Sequence, residues 1–310
     1  MMGNTIHNWD MLERGYTMHH AISQDKQGNI LATVSKTSAK IANGKDVRIN
    51  DFIIMMDPEK GEILQEWDLV HMLDSARYGM TDYDLTSDPF AQSASNWAHN
   101  NGIVEWGDDY LATARYQGIF KFNKAGGIEW IISPHGYWRD KYLKLLLNPL
   151  HADGTPITDP EVIAGTKTCD DFEWPWGCHT AVPLPNEHIL YFNNGYGRNF
   201  KLDFTDRKNI YTCGIEYEVD EVNRTVRQVW QYGKERGAAY FTPARSGVQY
   251  LEQTGNRLIC PGMSNVLSNG NRGARVTEVD PETQDVVFEL ELEDAIYQRV
   301  YRMSLYPENQ

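Results

Sequence analysis

An all-β fold, a β-propeller built from four-stranded antiparallel blades, is what the sequence predicts, with about four blades in 310 residues. Three observations predict it. Aromatic residues are abundant, with nine Trp and seventeen Tyr, and many lie where apolar and polar residues alternate, the period of a strand. Four segments along the chain share one plan of strand, polar turn and strand. Each is then completed by a second hairpin of the same kind, and two hairpins make a four-stranded meander, one blade of a propeller.

The first blade opens with HHAISQDKQGNILATVS, from His19, and closes with FIIMMDPEKGEILQEWDL. The second reads HNNGIVEWGDDYLATARYQGIFKFN, from His99, and ends in GIFKFNKAGGIEWIIS. HTAVPLPNEHILYFNNGYGR, from His179, and GIEYEVDEVNRTVRQVWQYG make the third. SGVQYLEQTGNRLICPG, from Ser246, and RVTEVDPETQDVVFELEL make the fourth. Turns such as QGN, GDD and TGN are hairpin signals. The histidine-led starts recur every ~80 residues, whereas a bare blade needs roughly 40–50, so long excursions must sit between them. These are DSARYGMTDYDLTSDPFAQSASNW and HGYWRDKYLKLLLNPLHADGTPITDPEVIAGTK, the second with helical spacing in RDKYLKLLLN. Long loops on a rigid scaffold shape binding sites. Trp9 and Asp10 read as a strand end, which suggests further residues upstream.

The net charge is −14 and no basic stripe is present, which sets nucleic-acid binding aside. No run of eighteen apolar residues indicates a membrane span, and the start lacks the basic and apolar regions of a signal peptide. None of the four cysteines forms a C-x-x-C pair, which argues against a zinc ribbon. Cys169 and Cys178, in TCDDFEWPWGC, are either a disulfide or two thiols, and the sequence leaves both open.

His20, His99 and His179 fall at the same place in three successive repeats, where the inner strands of a propeller converge on the axis. Arg115, in LATARYQG, offers a planar fork of donors suited to a tetrahedral oxyanion. Asn101, two residues after His99, shares its strand face by alternation. Arg198 follows a Gly-rich turn and reads as exposed, His188 as solvated, and His135 as structural; His7, His71 and His151 have no repeat context. Two chemistries fit clustered imidazoles. One is a metal site on His20, His99 and His179, which the fourth repeat weakens by offering Ser246 instead. The other is group transfer through a covalent histidine, which the cation Arg115 favours.

The runs NWAHNNGIVEW, ATARYQGIFKF, IEWIISPHGYW, CHTAVPLPNEHILYFNNGYGR and VWQYGKERGAAYFTPARSGVQYL resemble those of bacterial arylsulfate sulfotransferases, in the same order over nearly the whole chain. The resemblance implies a six-bladed propeller. Residues 1–310 would be a single propeller domain lacking N-terminal blades and the family's N-terminal β domain. It also implies transfer of a sulfuryl group from an aryl sulfate to a phenol, without an adenosine-phosphosulfate donor, a cofactor or a metal. By resemblance His179 is the residue transiently sulfated, His20, His99 and Arg115 surround the sulfate, and Asn101, Tyr301 and Arg245 line the substrate site. A periplasmic location and a homodimer are further expectations. The chain departs from the family at Tyr116, where a histidine is expected, and at Arg245, where a threonine is expected; the family's loop disulfide matches poorly at Cys169 and Cys178.

The implied mechanism is ping-pong. His179 attacks sulfur, Arg115 and His20 hold the sulfuryl oxygens, and His99 exchanges protons with the phenols. Trp97, Trp138 and Trp176 are candidates to stack the aryl ring. The rival readings are a metal-dependent propeller enzyme using His20, His99 and His179, and a non-catalytic binding propeller.

Overall fold

The structure is a computed structural model that describes residues 5–42, 47–77, 97–202, 205, 209–264 and 273–293. The chain is all-β, built from four antiparallel meanders of the propeller-blade type. It divides into two compact units. The first comprises Met1–Asn148, Thr158–Thr168 and Asn199–Lys201; the second comprises Pro149–Ile157, Cys169–Arg198 and Leu202–Gln310.

The first unit holds two meanders. Strands β1 (Tyr16–Gln24), β2 (Ile30–Ala42), β3 (Val47–Met56) and β4 (Ile63–Asp68) pair in sequence order. The β1–β2 turn closes because Asp25 Oδ1 accepts from the Gln27 and Asn29 amides at 3.0 and 2.7 Å, with Gly28 at φ 89°. Both sheet faces are buried, which is why β3 reads as an apolar run. Leu31, Ile53 and Met55 enter one apolar cluster, and Ala32, Val34, Phe52, Ile54 and Met56 the other.

A short helix, α1 (Leu69–Met72), follows, capped by Asp68. The second meander is β5 (Asn100–Trp106), β6 (Asp109–Ala114), β7 (Gly118–Phe122) and β8 (Ile128–Ile132). Gly118 starts β7 at φ 100°, where a Cβ would lie 2.3 Å from the Ile132 carbonyl oxygen; only glycine fits this approach. Tyr110, Phe120 and Phe122 join Leu31, Ile53 and Trp67 in one cluster that cements the two meanders. Each such buried side chain contributes roughly 1.5–3 kcal/mol.

The helix expected across RDKYLKLLLN is limited to α2 (Asp140–Leu143). Its continuation instead pairs with β8: Ile131 N–H donates to Leu145 O, and Leu147 N–H donates to Ile131 O. A turn at Lys144 and Leu145 and a single parallel bridge between Leu146 and Ile131 take the place of helical continuation there. Trp9 likewise belongs to no strand; its indole N–H donates to the Pro58 carbonyl at 3.1 Å.

Strand β9 (Asn148–Leu150), whose last two residues belong to the second unit, precedes α3 (Pro160–Ala164), a segment of the first unit. The third meander is β10 (His179–Pro183), β11 (Ile189–Asn193), β12 (Cys213–Asp220) and β13 (Thr225–Tyr232). Strand β9 adds to its outer edge, so this sheet has five strands rather than the expected four. The fourth meander is β14 (Gly247–Tyr250), β15 (Arg257–Cys260), β16 (Ala274–Val279) and β17 (Val286–Leu292).

Leu190, Phe192, Val248 and Ile259 pack the third and fourth meanders together. A polar clamp joins the same sheets: Glu216 on β12 accepts from Arg257 Nη2 on β15 at 2.6 Å and meets His188 Nδ1 at 2.7 Å. His188 is therefore a side-chain partner of Glu216, where solvation was expected. Arg198, expected on the surface, is buried and donates to Glu173 Oε1 at 2.7 Å with its guanidinium 3.7 Å from the Tyr211 ring centre.

Burial pushes the Glu216 carboxyl up, but its bonds to Arg257 and His188 outweigh that and hold it below the ordinary glutamate range. A depressed carboxylate contributes stability above its unfolded pKa, near 4.3, and loses it as pH falls through the folded value. Glu216→Gln should therefore destabilise by about 2 kcal/mol at neutral pH, between the surface and buried limits for ion pairs. The gap to wild type should narrow below about pH 4, as read by denaturant melts across pH. A gap that is constant with pH would contradict this role.

Candidate functional site

In the first unit the histidines sit where the first strand of each meander loses its regular ladder. The β1–β2 register shifts between Met18 and Ile22, and His20 lies in that bulge at φ 54°. Thr33 on β2 fills it, its hydroxyl donating to the His19 carbonyl and accepting from the Ala21 amide at 3.1 Å. The β5–β6 register shifts between Asn100 and Gly102, and His99 precedes that bulge at φ 52°. Bulges re-aim side chains beside functional sites. Here they turn His20 and His99 together, with Nε2 atoms 3.1 Å apart and ring centres 4.6 Å apart.

The pair continues inward. His20 Nδ1 is 3.0 Å from His19 Nδ1, and His19 Nε2 is 3.6 Å from Asp51 Oδ1. Asp51 is buried on β3 and accepts from the Asn100 amide at 2.9 Å. Burial lowers the His19 pKa against the pull of Asp51, and burial raises the Asp51 pKa against the pull of His19. One set of tautomers pairs the three rings: His99 donates to His20 and His20 to His19, while His19 Nε2 faces Asp51 at 3.6 Å, beyond hydrogen-bond reach. Such a line can accept or release a proton at one end and spread the charge along it. Sequence reading missed His19 and Asp51; the doublet His19-His20 was the available signal.

Arg115 is buried opposite His99, its amide donating to the His99 carbonyl at 3.0 Å. Tyr116, at the position where a histidine is expected, meets His99 edge-on with ring centres 6.1 Å apart. Asn101 is the extra residue of the β5 bulge, so the alternation argument that put it on His99's face does not hold. Its Oδ1 accepts from the Thr113 hydroxyl at 2.6 Å.

His179 belongs to the second unit, where it opens β10 opposite Phe192. The next residue, Thr180, is bulged at φ 48°. His179 is buried, and its Nδ1 faces two acceptors, Asn194 Oδ1 at 2.5 Å and Gly177 O at 3.2 Å. The Asn194 amide is oriented in turn, since its Nδ2 donates to Thr242 O at 2.9 Å and Arg245 O at 3.3 Å. With acceptors on one ring nitrogen, the proton sits on Nδ1 and the ring lone pair on Nε2. Asn193 braces the approach, accepting from the Trp176 and Gly195 amides, each at 3.0 Å. The Asn193-Asn194-Gly195 run is thus the support of His179.

Among the other expected residues, Arg245 holds Asn194 through its carbonyl, with φ 67°. Tyr301 lies outside the described residues. Trp97, Trp138 and Trp176 are buried, Trp97 and Trp138 inside the first unit's apolar cluster, so they do not present stacking platforms. No disulfide joins Cys169 to Cys178; the Cys169 thiol donates to Asp171 Oδ1 at 3.1 Å. His135 is structural as expected, with Nε2 3.0 Å from the Leu147 carbonyl. Among the described residues no helix is long and apolar enough to cross a membrane.

The tautomer is directly testable. Ring-nitrogen NMR of histidine-labelled protein above neutral pH should show His179 protonated at Nδ1, and Asn194→Ala should lose that single-tautomer pattern. An Nε2-protonated wild type would overturn the assignment.

Comparison with known sequences adds a family. The chain is 28% identical to arylsulfate sulfotransferase AssT of Escherichia coli O6:H1 over 336 residues, covering 98% of this chain and 55% of the relative. It is 29% identical to arylsulfate sulfotransferase AssT of Lelliottia amnigena over 337 residues, with the same coverage. The chain thus spans about half the length of the curated relatives it matches. The sequence pattern of the arylsulfotransferase (ASST) family matches residues 1–302, and the chain belongs to that family.

Proposed function

We propose that the chain transfers a sulfuryl group from an aryl sulfate to a phenol by a ping-pong route through His179. The observation that carries this reading is the contact of His179 Nδ1 with the Asn194 amide oxygen at 2.5 Å, which supports a proton on Nδ1 and a lone pair on Nε2. Nε2 attacks sulfur, the N–S bond forms as the S–O bond to the aryl group breaks, and the phenolate leaves. The sulfated ring keeps its Nδ1 proton, and its positive charge strengthens the bond to Asn194. An acceptor phenol then loses its proton and attacks sulfur, and the N–S bond breaks.

Arg115 and His20 are assigned to the sulfuryl oxygens, whose charge they stabilise. His99 is assigned the proton exchange, protonating the leaving phenolate and deprotonating the acceptor. The imidazole line His99–His20–His19–Asp51 supports this role, because it can buffer that proton. Asn101 and Tyr301 remain assigned to the substrate, whereas Arg245 supports His179 through its main chain. No adenosine-phosphosulfate donor enters the scheme. A single propeller domain, a periplasmic location and a homodimer complete the proposal.

With p-nitrophenyl sulfate as donor and phenol as acceptor, wild type should turn over, and His179→Asn should lose transfer by more than about 10³-fold. Donor alone should leave a sulfate on His179 that peptide mass spectrometry locates. Full transfer by His179→Asn, or sulfate on another residue, defeats the covalent role. Turnover that survives exhaustive chelation separates this scheme from a three-histidine metal enzyme, and no turnover at all would favour a binding propeller.

His19→Gln should lower kcat about tenfold, the worth of roughly one hydrogen bond, leave KM little changed and shift the pH profile. A loss confined to KM would remove His19 from the proton line.

A further inference from the structure

Three side chains in the second unit meet outside the histidine sites. His151 Nδ1 lies 3.0 and 3.2 Å from the two Asp171 oxygens, and Cys169 Sγ lies 3.1 Å from Asp171 Oδ1. All three donor atoms lie within 4.8 Å of one another. A tetrahedral zinc ion with bonds of 2.0–2.3 Å needs its donors about 3.3–3.8 Å apart, so small movements suffice.

The backbone already holds the donors in place. His151 opens a tight turn, its amide donating to Thr155 O at 2.8 Å and its carbonyl accepting from Gly154 at 2.9 Å. The Ala152 amide donates to Asp171 Oδ2 at 2.9 Å, tying that turn to the segment bearing Cys169. Asp153 adds a negative charge that interacts with both His151 and Asp171. His151 and Asp171 are 40% and 38% exposed, so an ion can enter and a water can complete the coordination.

A His–Asp pair alone needs no thiol. The added sulfur changes the chemistry: one thiolate, one imidazole and one carboxylate suit a borderline divalent cation and not calcium or magnesium. We propose that His151, Cys169 and Asp171 form a Zn²⁺ site. On binding, the thiol gives up its proton and a neutral imidazole moves its proton from Nδ1 to Nε2. The ion then ties the turn at residues 151–155 to the segment that runs into β10 and His179. The site stands on these three side chains and not on the sulfotransferase reading.

The test is metal titration of chelator-treated, reduced full-length chain. Co²⁺ should produce a sulfur-to-cobalt charge-transfer band in the near ultraviolet, and Zn²⁺ should displace it. Cys169→Ser should abolish the band and remove one equivalent of bound Zn²⁺, as should Asp171→Asn, each with an unchanged far-ultraviolet spectrum. Zinc should also raise the thermal midpoint of wild type more than that of Cys169→Ser. A wild type without the band, or a band and stoichiometry that persist in Cys169→Ser, would overturn the site, whatever the state of the transfer activity.

Discussion

A non-glycine residue held at positive φ, in or beside a bulge of a meander's first strand, is the constraint on which these histidine sites depend. His20, His99 and Thr180 take φ values of 54°, 52° and 48°, and each lies in or beside a break in ladder register. Left-handed backbone in such residues costs about 1–3 kcal/mol and persists only when its surroundings over-determine it. They do so here: the Thr33 hydroxyl bridges the β1 bulge, and the Arg115 amide still pairs with the His99 carbonyl. A regular strand would alternate its side chains between two sheet faces, and in the first meander both faces are apolar. The bulge is what lets a polar ring leave that alternation without unpairing the strand.

The two units then treat imidazole protons in opposite ways. In the first, rings meet rings, and a proton can be passed along His99, His20 and His19 toward a buried carboxylate. In the second, the ring meets an amide oxygen whose own orientation is fixed by two carbonyls. An amide cannot take up the proton, so the tautomer of His179 is locked. Mobile protons suit acid–base exchange and a locked lone pair suits nucleophilic attack, which is the division of labour the proposed chemistry requires.

Local patterns made the fold legible. QGN and GDD announced real hairpins, and FIIMMDPEKGEILQEWDL became β3 and β4. The helix in RDKYLKLLLN stops after one turn because Leu145, Leu146 and Leu147 meet Ile131 across a single bridge, which no local periodicity reveals. The histidines were found by their repeat, but their partners were not. Asp51 is reached across β2 and β3, and Asn194 sits in a run whose composition is that of a turn. Alternation failed at Asn101 because a bulge resets which face a residue takes, and bulges leave little trace in sequence. Arg198 and His188 looked exposed because their carboxylate partners, Glu173 and Glu216, are distant in the chain.

The departures from the family pattern become intelligible in the same terms. Arg245 stands where a threonine is expected, yet what it gives to the His179 support is its main-chain oxygen, which any residue carries. Its left-handed backbone, at φ 67°, is more demanding than its side chain, so this position can vary in chemistry while Asn194 stays oriented. Tyr116 differs, because its ring lies against His99 itself. A histidine there would add another titrating group beside the proton line, whereas a phenol leaves protonation to His99, His20 and His19. Variation at Arg245 is therefore free to tune what the site receives, while variation at Tyr116 acts on the proton line.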